Sequence, residues 1–280
     1  MTTAAAVLHW RDRRRYLWLL GVLTMMLPLA ALRLYNLTGE VAWVWLGPVF
    51  VFGVIPLLDR VLGEDDNNPP EEAVPQLESD PYYRFAVYLA VPVQYLAFVV
   101  AAWAAATWPM PGWGYLGLAI TTGTSMGIAI NTGHELGHKR ARHERWLAKL
   151  ALAPVAYGHF YVEHNRGHHV RVSTPEDPAS SRYGESFYRF LPRTVIGSLI
   201  SAWELEKQRL ERQGRSVWHW SNHNLNAWAL TVALWTGLIA WLGWVVVPFL
   251  LIQAVFGFQL LEVVNYLEHY GLLRQKRDNG

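Results

Sequence analysis

The sequence predicts an all-α integral-membrane fold of six transmembrane helices carrying a cytoplasmic, histidine-rich catalytic cap. Three observations predict it. Only 16% of the 280 residues are Asp, Glu, Lys or Arg, against roughly 25% in soluble domains. Uncharged residues are concentrated: 16–32, 41–58, 85–133 and 224–261 hold no charged side chain. Basic residues gather on one side of those stretches, and of 24 Lys and Arg only Arg33 adjoins an outer loop. A soluble helical bundle is excluded, because its helices average about 11–12 residues and keep a polar face.

The elements follow in order. A crossing helix needs about 20 apolar residues. Span 1 is expected at 16–35. Arg11, Arg13, Arg14 and Arg15 precede it, which places the N-terminus in the cytoplasm. No small-residue cleavage site follows, so the span is a retained anchor and not a signal peptide. Span 2 is expected at 41–62. The acidic, proline-containing run Gly63–Glu72 then makes a solvated loop. Residues 85–133 are too long for one crossing and divide at Trp108-Pro109-Met110-Pro111-Gly112-Trp113-Gly114. Pro and Gly break the helix there, and Trp favours the interface. Spans 3 and 4 are thus 84–107 and 113–133. The last stretch divides near Leu242-Gly243-Trp244 into spans 225–242 and 245–266. An even number of spans returns the C-terminus to the cytoplasm. Residues 134–223 form the cytoplasmic cap of a single domain, 1–280. Within the cap, 147–161 is apolar but too short to span, and is read as re-entrant, interfacial or packed under the spans.

Zero cysteines exclude disulfides, thiol nucleophiles, iron–sulfur clusters and thiolate zinc sites. Any metal is held by His, Asp or Glu. A net charge of +2 gives no reason to expect nucleic acid as a partner.

The eleven histidines carry the chemistry. His134-Glu135-Leu136-Gly137-His138 closes span 4, and its i, i+4 spacing turns both imidazoles to one side of a helix. His164-Asn165-Arg166-Gly167-His168-His169 repeats that spacing in His164 and His168, with His169 about 100° further round. Glu262, Asn265 and His269 are spaced i, i+3, i+7 at the inner end of span 6. All three groups lie near one membrane face, where ionisable residues are costly and usually functional. Six histidines exceed the three protein ligands of a catalytic zinc. Thiolate-free ligation suits iron, copper or zinc, and H-E-x-x-H also marks zinc proteases. Glu135, Glu163, Glu262, Asn265 and Glu268 are candidates to orient imidazole N–H groups. His143, His159, His219 and His223 are read as surface, packing or interfacial residues. No single side chain is assigned as a catalytic acid or base.

Asn131–Lys139 resembles the first histidine box of the integral-membrane alkane monooxygenases, and Glu163–His169 resembles the second. Pro175–Val195 and Asn265-Tyr266-Leu267-Glu268-His269-Tyr270-Gly271 are also similar to that family. The resemblance covers nearly the whole chain and is strongest from Asn131 to Gly271. It implies a non-haem enzyme of the bacterial inner membrane, with two iron ions and O2 as co-substrate. Such enzymes hydroxylate the terminal carbon of medium- and long-chain n-alkanes taken from the membrane lipid. Electrons would come from rubredoxin and rubredoxin reductase. The family's ligands carry over to His134, His138, His164, His168, His169 and His269. The family also has an H-x-x-H-H box beyond the His-Tyr-Gly motif, which these 280 residues lack. A C-terminally incomplete, inactive member is therefore one expectation. A fatty-acyl desaturase or a xylene-type hydroxylase is the other alternative. Trp45 and Phe52 on span 2 are candidates to limit the depth of a substrate channel, and Lys139, Arg140, Arg142 and Arg145 to dock an acidic electron carrier.

Overall fold

A computed structural model describes residues 12–63 and 68–275. Arg11 of the basic N-terminal run, His9 and residues 64–67 of the acidic loop lie outside them. Every regular element among the described residues is helical. Besides a short helical segment at 71–79, these are in chain order α1 (Arg15–Thr24), α2 (Leu27–Thr38), α3 (Val41–Leu62), α4 (Pro81–Thr107), α5 (Gly112–Gly137), α6 (Arg142–Leu152), α7 (160–171), α8 (Phe187–Glu211), α9 (His223–Leu242) and α10 (Trp244–His269).

Four of them, α3, α4, α9 and α10, are long and apolar enough to cross a membrane. A fifth is counted if α1 and α2 form one broken span. The expected continuous span 16–35 is therefore corrected: α1 and α2 are bent by 62°. Pro28 lies in the first turn of α2, where its missing N–H is harmless, while a single helix would lose a bond there. Span 2 has its expected bounds but an irregular interior, with a π-helical turn at Phe50–Val54 between Pro48 and Pro56. The two sharp turns fall where Pro and Gly put them. Residues 108–111 separate α4 from α5, and Gly243 turns with φ 81°, a left-handed value that suits glycine.

Expected span 4, α5, differs most. It runs for 26 residues but is not among the helices apolar enough to cross. Thr121, Thr122, Thr124 and Ser125 are all fully buried in it. The reason is its position: α5 is the central helix, packed against α3, α4, α6 and α10. A helix enclosed by other helices needs small residues and satisfied hydroxyls more than it needs apolarity. Its hydroxyls are satisfied, since Thr121 donates to Val44 O at 2.6 Å and Thr122 to Leu118 O at 2.8 Å. Its glycines admit α10 closely. A Cβ at Gly123 would lie 2.6 Å from Gln253 O, and one at Gly127 would lie 2.7 Å from Gly257 O.

The segment 147–161 packs beneath the spans. Helix α6 ends at Leu152, and its last carbonyls receive side chains from three long helices. Gln94 Nε2 donates to Ala151 O at 2.8 Å and Tyr95 OH to Leu150 O at 2.9 Å, both from α4. Thr231 of α9 donates to Ala153 O at 3.1 Å, and Gln253 of α10 to Pro154 O at 2.7 Å. A helix end inside an apolar bundle has no water to satisfy it, so the neighbouring helices supply the donors.

Candidate metal centre

Helix α5 carries the first histidine pair on its last turn. The Nε2 atoms of His134 and His138 lie 3.0 Å apart. In α7 the backbone departs from expectation, because His164–His168 is a π-helical turn. A π turn inserts one residue into the helical repeat, so position i now shares a side with i+5. His164 Nε2 therefore faces His169 Nε2 at 3.0 Å. The expected pairing of His164 with His168 is corrected accordingly: those rings lie stacked with centroids 5.5 Å apart. The structure brings His134, His138, His164 and His169 into one group whose donor atoms all lie within 4.8 Å of one another.

His168 turns away from that group and toward α10. Its ring centroid is 4.9 Å from that of His269, and the Nδ1 atoms of both rings have acceptors. His168 Nδ1 meets Asp177 Oδ2 at 2.9 Å, and His269 Nδ1 meets Asn265 O at 2.8 Å. Nδ1–H donation there leaves Nε2 as the free lone pair in each ring. His134 Nδ1 lies 3.3 Å from Glu135 Oε1. A cavity of about 10 Å³ is bordered by His164, His168, Tyr157 and Glu262. That is close to the minimum space for one water molecule.

The electrostatics favour neutral rings. Burial, reinforced by the neighbouring imidazoles, pushes His164 down to about 2. Burial also lowers His138 and His169. Neutral imidazole is the metal-binding form. Burial would raise the Asp177 carboxyl, but hydrogen bonds from His168 and Ser180 overcome it and hold the group below its ordinary value. The donor set fits a first-row metal. Ligands about 2.1 Å from an ion stand about 3.0 Å apart at right angles and about 3.4 Å apart at tetrahedral angles. Both 3.0 Å edges here match the right-angled arrangement.

The other residues singled out from sequence take varied places. Glu163 is buried, but it pairs with Arg171 at 2.8 Å and not with a histidine. Glu262 accepts from Tyr157 at 2.7 Å and Thr194 at 2.9 Å, and Asn265 connects it to His269. Glu268 is exposed and hydrogen-bonds to no histidine among the described residues. Trp45 packs on α5, where a Cβ at Gly117 would come 2.6 Å from its Cδ1. Phe52 is 56% exposed on the outer surface, within the π-helical turn Phe50–Val54. His143 contacts Tyr88 OH at 3.1 Å, and His159 is buried against Tyr157.

Sequence reasoning missed two features. Asp177 was visible only as part of the family-like run at 175–195. The buried Glu206 was not singled out. It binds Arg166 at 2.5 Å, Arg209 at 2.7 Å and the His223 backbone N–H at 3.2 Å. Arg166 belongs to the π turn, so Glu206 ties that turn to α8 and α9. On the opposite side Glu163 and Arg171 close over Gly167, leaving no space for a Cβ.

The chain is similar to known proteins over most of its length. The fatty acid desaturase family model matches residues 111–280. The chain is 49% identical to alkane 1-monooxygenase 1 of Alcanivorax borkumensis over 269 residues, which is 96% of this chain and 67% of that protein. It is 49% identical to the alkane 1-monooxygenase of Ectopseudomonas oleovorans over 270 residues, again 96% and 67% of the two chains. It is 47% identical to that of Pseudomonas putida over 269 residues, with the same coverage. With histidine groups gathered at one end of long apolar helices, and identity of this extent across them, the chain belongs to the alkane 1-monooxygenase family.

Proposed function

We propose that this chain hydroxylates the terminal carbon of medium- and long-chain n-alkanes at a two-iron centre, with electrons delivered by rubredoxin. The balance is R–CH3 + O2 + 2 e− + 2 H+ giving R–CH2OH + H2O. The observation that carries the reading is the four-histidine group beside the His168–His269 pair, in a chain of this family. His134, His138, His164 and His169 would hold one iron, and His168 and His269 would contribute to the second. When bound, iron supplies the O2 activation and the oxidising power that an unactivated C–H bond requires.

The chain's residues do the rest. Asp177 and the Asn265 carbonyl fix the tautomers of His168 and His269 by accepting from Nδ1, and Glu135 stands 3.3 Å from His134 Nδ1. Glu206 and Arg166 hold the π turn that sends His168 and His169 to different sides. An alkane offers no polar handle, so orientation comes from shape alone. Discrimination by one methylene is worth only about 1–3 kcal/mol, and a broad chain-length range is expected. Trp45, packed on α5, borders the central helix at the end away from the histidines.

The membrane arrangement is part of the same reading. Six spans form if α1 with α2 makes one and the polar, enclosed α5 makes another. The termini and the histidine-bearing end face the cytoplasm of a bacterial inner membrane, as the basic residues favour. Lys139, Arg140, Arg142 and Arg145 border that end and suit an acidic electron carrier.

The test is conversion of octane through hexadecane under 18O2 by the purified chain in lipid nanodiscs, with rubredoxin and its reductase supplied. The 1-alkanol should carry one labelled oxygen and the iron content should track activity. Products desaturated within an acyl chain, or stoichiometric zinc without iron, would overturn the proposal.

A further inference from the structure

Helix α8 has three unlike faces. Thr194, Ser198, Ala202, Glu206 and Leu210 are its buried side. At about 100° per residue, Ile196, Leu199, Ile200 and Trp203 fall together on an adjoining stripe, and Glu204, Gln208 and Glu211 on the next. Ile196 and Ile200 are 58% and 59% exposed, so the middle stripe is both apolar and open. Apolar surface of this kind beside a polar border marks a contact with another protein or with a membrane.

The placement of α8 decides between the two. Its first turns pack on the end of α10, where Thr194 donates to Glu262 at 2.9 Å and Phe187 lies against Tyr266. Its later turns pack on the start of α9, where Asn224 donates to Ala202 O at 2.8 Å. Helix α8 thus bridges two helices that are each long and apolar enough to cross a membrane. Trp203 is stacked on Trp228 of α9, with the rings 7° from parallel and their centroids 5.9 Å apart. Trp218, between α8 and α9, meets Trp203 edge-on at 5.4 Å. From Trp228 the apolar surface continues along α9 to Val232, one turn further and 63% exposed. The stripe of α8 is therefore continuous with the outer surface of α9, and three tryptophans mark the junction. Tryptophan is enriched at the membrane–water interface.

We propose that α8 is an interfacial helix whose Ile196–Trp203 stripe is immersed in the lipid leaflet next to the histidine-bearing end. A helix of this kind buries its apolar side about 5–10 Å into the headgroup and acyl boundary and keeps its charged side in water. Arg189 and Lys207 lie near the two ends of the stripe at its outer edge, where long basic side chains reach back to the headgroups. The buried side of the same helix serves the metal centre. Glu206 holds Arg166 of the π turn, and Ser198 borders the cavity shared with His164 and His168. Lipid on one side of α8 and the π turn on the other give the histidine group a direct mechanical tie to the bilayer surface.

The chain has no cysteine, so single-cysteine variants carry one nitroxide label each. Ile196→Cys and Ile200→Cys test the stripe. Val232→Cys is the lipid-facing reference, and Glu204→Cys and Glu211→Cys are the water-facing ones. Each full chain is reconstituted into vesicles of phosphatidylethanolamine and phosphatidylglycerol. Power-saturation EPR then compares collisions with O2, which concentrates in the bilayer, and with a neutral nickel chelate, which stays in water. Positions 196 and 200 should match 232, with an O2-to-nickel ratio several-fold above that at 204 and 211. Nickel access at 196 and 200 equal to that at 204 would overturn the proposal. Loss of access to both reagents would overturn it too, because a second copy or another protein would then cover the stripe. A native melting temperature and a single size-exclusion peak establish that each labelled chain is folded, and Leu199→Cys replaces either stripe position that fails this check. The measurement needs neither turnover nor bound alkane, so its outcome is independent of the hydroxylation reading.

Discussion

At the scale of single residues, Asp177 and His159 show two opposite uses of burial. Asp177 is 1% exposed and still ionised, because His168, Ser180 and the Ala179 N–H all donate to it. Asp177→Asn keeps its size and removes its charge. Loss of such a partner typically costs 10–100-fold in metal affinity. Iron bound per chain, measured by plasma mass spectrometry, should therefore fall while the four-histidine group retains its share. Unchanged iron content and affinity would separate Asp177 from the centre. His159 is 5% exposed, its Nε2 has no partner, and burial pushes it down to about 4. Its ordinary value is 6.5. Between those values the unfolded chain binds the extra proton, so stability rises with pH across that window. The contribution of the neutral ring is complete above pH 6.5 and is lost as pH falls toward 4. His159→Phe keeps an aromatic ring against Tyr157 and removes the titration. Compared with that variant, the native chain should lose about 2–4 kcal/mol between pH 6.5 and 4 in denaturant titrations in detergent. Parallel pH profiles for the two chains would refute this.

At the scale of elements, much of the site was legible and one part was not. The i, i+4 rule reads His134 and His138 onto one side of α5, where their Nε2 atoms meet. The same rule assigns His168 to His164 and leaves His169 aside, which inverts the arrangement in the structure. The inversion is local and physical. A π turn is set by what surrounds it, here the Arg166–Glu206 pair on one side and the Glu163–Arg171 pair over Gly167 on the other. Those partners lie up to 40 residues away in the chain, and periodicity within a window does not contain them. The glycines of α5 are the converse case. They look like weak helix positions in isolation, and only the backbone of α10 explains them. At Gly127 a Cβ would lie 2.7 Å from Gly257 O, a backbone atom that cannot swing aside. Gly127→Ala should separate α5 from α10, costing about 1–3 kcal/mol. Because α5 carries His134 and α10 carries His269, iron content should fall with stability. A variant with native melting temperature and native iron would show that the two helices have slack at this contact.

At the scale of the whole molecule, the sequence located the long apolar helices because apolarity over 20 residues is a direct requirement of the bilayer. It could not tell which helix lies at the centre. Helix α5 is the one the others enclose; the uncharged run 113–133 marks it as a span, yet its buried threonines and glycines leave it outside the helices apolar enough to cross. Whether α5 crosses decides the topology. If it does, and the broken pair α1–α2 makes one crossing, there are six spans and both termini share a side. If α5 is supported only by its neighbours, the count is five and the termini lie on opposite sides. Fusions of alkaline phosphatase and of green fluorescent protein after positions 39, 80, 110, 140, 243 and 275 discriminate between these cases. Phosphatase is active only outside the cytoplasm, and the fluorescent protein folds only inside it. Six spans predict active phosphatase after 39, 110 and 243, and fluorescence after 80, 140 and 275. The pair of fusions at 110 and 140 brackets α5 and carries the decision. Phosphatase activity at both positions would remove α5 from the spans and place the histidine-bearing end outside the cytoplasm. An electron carrier confined to the cytoplasm would then have no access to it, so this outcome would also overturn rubredoxin as the donor.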